Sequence, residues 1–282
     1  MRAQSRKSLV RGFTLIEMVV VIVLLGIVGV GMGNFIGLGA QIYVDAVSRE
    51  QVLSQTRFAI ERLTREIREA LPNSVRVTTS GNVQCVEFVP IVASSTYVNI
   101  PVSPEVATNT LHVVKHAVSG ISADKIAVYP LTSNDVYGSN PFAVTTGNLF
   151  SFNAAPAVGT DTQDLVLTNV VRFDADSPTQ RYYLVKYAVS YCANTTTGKL
   201  YRYGNYWPLT TGQQTPPTTV LQTEPAGISV ALMAEDLKAG SLPFNYSSAT
   251  LVTNAVFQFT FEIFRNGEQI DFHHEVHLIN VP

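Results

Sequence analysis

The chain has 282 residues, 46% of them hydrophobic and only 14% charged, with a formal net charge of −2. That length predicts one to two domains, and that balance suits a globular head plus one apolar span rather than a nucleic-acid binder working by bulk charge. It has only two cysteines, too few to hold a metal without histidines at ligand spacing, which the sequence does not supply.

Residues 1–12 form a short basic leader with Arg2, Arg6, Lys7 and Arg11. Residues 13–33 come next, 21 positions with one charge, Glu17. About 20 apolar residues span a bilayer as a helix, the conformation that satisfies its own backbone there. A secretory signal has about 7–15 apolar residues and a small-residue cleavage site after them. Here the run is longer and no such site lies beyond it. The obvious processing point, Gly12 before Phe13, lies in front of the run, so cutting there removes the leader and keeps the span. Four of the 19 Lys and Arg lie in the leader, so the trimmed chain carries 15 against 21 Asp and Glu. Basic residues beside a span stay cytoplasmic, which places the residues beyond the span in a periplasm-like compartment. An ionised Glu17 in lipid needs a partner or neutralises. The free amine of a trimmed Phe13 on a neighbouring subunit would serve, and would set register in a bundle; the plainer alternative is a glutamate reaching for the interface from a helix end.

The run Gly12-Phe13-Thr14-Leu15-Ile16-Glu17, behind a basic leader and ahead of an unbroken apolar helix, resembles the type IV prepilin signature. The resemblance implies cleavage after Gly12 by a prepilin peptidase, methylation of the new N-terminal Phe13, and guidance of assembly by Glu17. The implied partners are that peptidase, a major pilin, other minor pilins and an inner-membrane assembly platform. The implied location is the inner membrane, single-pass with a periplasmic head, then a pilus or pseudopilus of a Gram-negative bacterium. No cofactor, metal or nucleic acid is expected.

Gly29, Gly33 and Gly37 form a small-xxx-small face that permits close helix packing in membranes, while each glycine weakens the helix by about 1 kcal/mol relative to alanine. Over 41–71 the helix becomes amphipathic, with Leu53, Ile60, Leu63, Ile67 and Leu71 as the buried stripe and Glu61–Arg65 as an i,i+4 pair. The alternating signs of Arg57, Arg62, Arg65, Glu66, Arg68 and Glu69 read as a solvated face. Pro72 ends the helix.

The head then reads as β, with strands expected at 75–79, 83–90, 111–117, 125–131, 165–173, 181–192, 199–203, 256–264 and 269–279. Gly81 marks one hairpin turn and Asn266-Gly267 another. Residues 91–110, 132–162 and 208–227 read as irregular. One long helix followed by antiparallel strands gives an α+β fold: a helix, half transmembrane and half amphipathic, packed on an antiparallel β head. The expected divisions are 1–12, 13–40, 41–71 and 72–282.

In an oxidising compartment the even cysteine count favours a Cys85–Cys192 disulfide, with two separately buried thiols as the alternative. No catalytic motif is present: no Gly-x-Ser-x-Gly elbow, no phosphate loop, no His-Glu-x-x-His. His112 with His116, and His273 with His277 around Glu275, read as strand histidines. Tyr201, Tyr203, Tyr206 and Trp207 form an aromatic cluster suited to packing or to a partner. Residues 57–63 and 71–74, with Asn280-Val281-Pro282, resemble the MshO-type minor pilin of mannose-sensitive haemagglutinin (MSHA) pili. The resemblance implies a structural subunit, with a J-type minor pseudopilin of type II secretion as the alternative; the missing catalytic motifs argue against an enzyme, and a head large for a major pilin suits a subunit that primes or caps a filament.

Overall fold

The structure is a computed structural model, described here over residues 13–117, 122–154, 157–208, 220–223, 227–248 and 254–278. The expected leader, Gly12, the terminal Asn-Val-Pro and most of the expected 208–227 loop lie outside those residues. The chain divides into two units, Met1–Gln51 and Val52–Pro282.

Helix α1 (Leu15–Arg68) begins in the first unit, where its apolar side chains are exposed. In the second unit its buried stripe is Val52, Thr56, Ala59, Leu63 and Ile67. The stripe expected from the sequence is therefore rotated: Leu53 and Ile60 lie at its margin. Leu63 and Ile67 are buried as expected, while Val52 and Ala59 take the places expected of Leu53 and Ile60. Thr56 enters the core because its hydroxyl donates to the Val52 carbonyl at 2.8 Å. Arg62 and Glu66 form an i,i+4 ion pair at 2.9 Å, while the expected partners Glu61 and Arg65 are exposed. The helix ends at Arg68 rather than 71, because the next residues join the sheet backbone: Leu71 N–H donates to Val89 O, and Ile91 N–H to Glu69 O, both at 2.8 Å.

Strands β1 (Arg76–Ser80) and β2 (Val83–Phe88) pair around Gly81, whose φ of +56° suits glycine. The chain then leaves this sheet for β3 (Ile91–Asn99), β4 (Thr108–Val114), β5 (Lys125–Ala127), helix α2 (Ser133–Tyr137), β6 (Thr146–Gly147), β7 (Leu149–Ser151), β8 (Thr162–Phe173) and β9 (Arg181–Val185). It returns through β10 (Ala188–Asn194), β11 (Lys199–Pro208), β12 (Val220–Thr223) and β13 (Ser229–Ala234), and finishes with β14 (Phe244–Ser247), β15 (Ala255–Arg265) and β16 (Glu268–Leu278).

Three sheets result. The first runs β1-β2-β10-β11, with β12 and β13 on different stretches of β11. The second, β6-β8-β4-β3-β9-β5-β7, is inserted between β2 and β10; a bridge from Phe152, just past β7, to Leu167 of β8 closes it as a barrel. The third is β14-β15-β16. The barrel encloses its own core around Phe150, Phe173, Leu111 and Leu184. The α1 stripe packs in a core built from the first and third sheets, including Tyr191, Phe257, Phe259 and Phe261. A third cluster, with Trp207, Tyr206, Tyr137 and Leu71, joins barrel to first sheet.

Further expectations need correction. Residues 91–110, 132–162 and 208–227 are not wholly irregular: they hold β3, the start of β4, α2, β6, β7, the start of β8, and β12. In β3 the Ser and Thr residues mask a period-two pattern, since Ala93 and Tyr97 point into the barrel. The single strand expected at 181–192 is two strands, broken at Lys186-Tyr187, and belongs to two sheets. Both faces of that stretch are largely buried, so its alternation carried no sign of the switch.

Candidate assembly and anchoring segment

The N-terminal segment is built from the start of α1. Phe13 precedes the helix and is 82% exposed. Thr14 caps it: Glu17 N–H donates to Thr14 Oγ1 at 3.3 Å, and Glu17 Oε2 accepts from both the Thr14 N–H and its hydroxyl at 3.2 Å. This reciprocal pattern is a capping box, which satisfies helix-start donors that have no intrahelical acceptor. Its Thr-x-x-Glu signature stands in the sequence at 14–17, the same glutamate to which the resemblance assigns a role in assembly. Glu17 thus has a local function: with the Thr14 cap it fixes the helix start at Leu15, two residues beyond Phe13.

From Leu15 the helix presents apolar side chains on every side, and it is long and apolar enough to cross a membrane. At Gly29, Gly33 and Gly37 an added Cβ would meet nothing within 4 Å. The three lie four residues apart and so leave a shallow channel along one helix face.

In the second unit, Cys85 and Cys192 are joined by a disulfide. They sit directly opposite each other on β2 and β10, the two strands that carry the chain into and out of the barrel.

The other candidates separate. His112 Nδ1 pairs with Asp164 at 2.8 Å on the exposed barrel face, whereas His116 is buried. His273 bonds Thr260 Oγ1 at 2.9 Å, and His277 pairs with Glu275 at 3.1 Å. Among the described residues no group of three or more His, Cys, Asp or Glu is placed to hold a metal ion. The aromatic cluster divides too: Tyr206 and Trp207 are core, and only Tyr201 and Tyr203 reach solvent.

Charged groups organise the head, and among them Arg62 and Glu66, expected on a solvated face, are instead partly buried against the first sheet. Glu66 on α1 accepts from Arg202 Nε at 2.9 Å, Arg62 Nε at 2.9 Å and Tyr191 OH at 3.0 Å. Burial alone would raise its pKa, but those bonds outweigh burial and hold the carboxyl below the usual range. Glu87 is wholly buried, paired with Arg76 and accepting from Tyr206 OH at 2.7 Å. There burial wins over Arg76 and the hydroxyls and pushes the carboxyl up. Lys125 is buried as well, its ammonium bonded to Asp124 and to the Lys186 carbonyl and lying 4.6 Å from the Trp207 ring; burial lowers its pKa.

Comparison with known proteins bears on the N-terminal segment. No curated protein and no solved structure matches the chain. A family model described as the prokaryotic N-terminal methylation motif matches residues 7–33, which carry the leader's end, the capped start and the apolar helix; with the membrane-capable α1 and the β-rich head, the match supports a type IV pilin-like protein.

Proposed function

We propose that this chain is a structural minor pilin. A prepilin peptidase removes residues 1–12 at the cytoplasmic face, Phe13 is methylated, and the protein waits in the inner membrane with its head in the periplasm. It then enters a type IV, MSHA-like pilus through residues 13–40, priming or capping it beside the major pilin. The observation that carries this reading is the methylation-motif match over residues 7–33. The exposed apolar face of α1 supports it, because such a face needs lipid or sister helices around it. The barrel inserted between β2 and β10 supports the terminal position, since added bulk hinders repeated stacking.

Mass analysis of the protein from membranes and from sheared fibres tests the reading. The expected N-terminus is methylated Phe13, with a copy number far below the major subunit. A protein that still begins at Met1 in fibres, or has lost the apolar run, overturns it.

A further inference from the structure

We infer that the edge of β16 that no described strand pairs, flanked by α1, is a docking site for one extended, basic segment of a partner protein. The inference stands on the second unit alone and does not depend on the filament reading.

An open sheet edge is a template for another strand, and proteins blunt edges by shortening them or by adding Lys, Pro or bulges. Among the described residues the other edge strands are short: β1 has five residues, β12 and β14 four, β13 six, β6 two and β7 three. β16 has 11 and lies at the end of its sheet. It contains no Lys, Arg or Pro, and its register with β15 runs unbroken from Arg265–Glu268 to Ala255–Leu278, without a bulge. At about 3.4 Å per residue this is an edge of about 37 Å.

The turn fixes which groups face outward. Asn266 and Gly267 both have positive φ, +52° and +84°, as a two-residue primed turn requires. Arg265 and Glu268 then form the closing hydrogen-bonded pair, and pairs alternate from there. The N–H and C=O groups of Asp271, His273 and Glu275 therefore point away from β15.

Beside this edge lies a cleft of about 320 Å³ between α1 and β16, lined by Ile60, Thr64 and His274 and by charges that balance, Glu61 and Glu69 with Arg65 and Arg68, so the net charge of the edge is set by β16. Two polar atoms of its lining, Thr64 Oγ1 and His274 Nε2, are buried with no hydrogen-bond partner among the described residues. Buried polar groups ordinarily have partners, so these mark where a bound chain supplies them. Charge names the occupant. The outward residues of β16 include Asp271 and Glu275 with no basic residue except histidine. Opposite charges across strands stabilise a pair and like charges oppose it. The fitting segment is a strand with Lys or Arg at alternate positions.

The test titrates full-length protein in detergent micelles with a labelled eight-residue peptide of alternating lysine and valine, read by fluorescence anisotropy. Saturable binding is expected. His273→Pro removes one outward N–H and leaves the β15 ladder alone, so binding should weaken about tenfold. N-methylating the peptide along one edge should abolish binding, and an alternating glutamate–valine peptide should not bind. Thr64→Val should weaken binding several-fold while leaving thermal stability unchanged or raised, because it deletes an unpaired hydroxyl. If His273→Pro unfolds the head, Asp271→Lys with Glu275→Lys replaces it: this variant should lose the lysine peptide and take the glutamate one. No saturable binding, equal binding to a folded His273→Pro, or indifference to peptide charge each overturns the inference.

Discussion

The side-chain amide of Gln84 on β2 pairs with the backbone of Phe244 on β14 as another strand would: Gln84 Nε2 donates to Phe244 O at 3.0 Å, and Phe244 N–H donates to Gln84 Oε1 at 2.8 Å. Both ends are buried, so this one side chain ties the first sheet to the third. Gln84→Leu keeps volume but strands two backbone groups, each costing about 1–3 kcal/mol. At roughly 2–4 °C per kcal/mol for a unit this size, the melting temperature should fall by about 4–24 °C. Calorimetry of the variant in detergent checks it; an unchanged midpoint would show that the sheets are held by apolar packing alone.

Glu66 and Glu87 should make opposite contributions to the pH profile. Glu66 is held below the ordinary range by Arg202 and Arg62 against burial, so its stabilisation is present above about pH 4.3 and is lost as pH falls through its depressed value. Glu87 is raised by burial, so the folded state holds its proton longer than the unfolded one, and stability is lost as pH rises above that same range. Glu66→Gln should cost about 2–4 kcal/mol near pH 7, since Arg202 is left partly buried without its counter-charge, and should flatten the acid limb. Glu87→Gln should instead remove the decline between acid and neutral pH. Urea midpoints measured from pH 4 to 8 decide both, and parallel profiles for the two variants would contradict the assignment.

The disulfide closes the strands on either side of the barrel, so the chain between Cys85 and Cys192 is a covalent loop of 107 positions. A protease cut within the barrel should leave one band on a non-reducing gel and two after reduction. Both sulfur-bearing residues are buried, at 0% and 3% exposure, so dithiothreitol should reduce the bond only with denaturant present. Replacing both by Ala should cost up to about 4–5 kcal/mol, the chain-entropy value for so long a loop. Rapid alkylation of the native protein after mild reduction would contradict this burial.

Trp207 and Tyr201 stand six residues apart with opposite fates. Trp207 is fully buried against Tyr137, whereas Tyr201 packs beside Tyr203 at the surface. Trp207→Ala should cost about 3–5 kcal/mol and Tyr201→Ala less than about 1 kcal/mol. Surface attachment lost only in the Tyr201 variant would therefore report binding, while loss in the Trp207 variant would report unfolding. Equal melting temperatures for the two would contradict the burial.

The legible parts were those with a local cause. The Asn266-Gly267 turn and the β15–β16 pairing arise from neighbours in sequence. The barrel was hidden because its strands carry Ser and Thr on the outer face, and because β9 and β10 read as one strand whose switch of sheet depends on distant partners. The burial of Glu66 and Glu87 was equally hidden: each looks like an ordinary surface glutamate until Arg202 and Arg76 are brought to it by pairings that no local pattern encodes. The capping box is written locally as Thr14-x-x-Glu17, but its glutamate is equally the one an assembly ion pair would use, so the sequence alone does not separate the two.

Capping and charge at Glu17 can be separated. Gln accepts the same bonds at the third helical position, so Glu17→Gln should keep the helix start and the position of Phe13 while removing the charge. Thr14→Ala keeps the charge but loses the cap, at about 0.5–2 kcal/mol of local helix stability. If the carboxylate pairs with a neighbour's Phe13 amine, Glu17→Gln should be cleaved and membrane-inserted normally yet be absent from sheared fibres. Thr14→Ala should enter fibres at a reduced level, its first turn frayed. Fibre incorporation of Glu17→Gln at the wild-type level would mean that the carboxylate serves the cap alone, and that register is set elsewhere along α1.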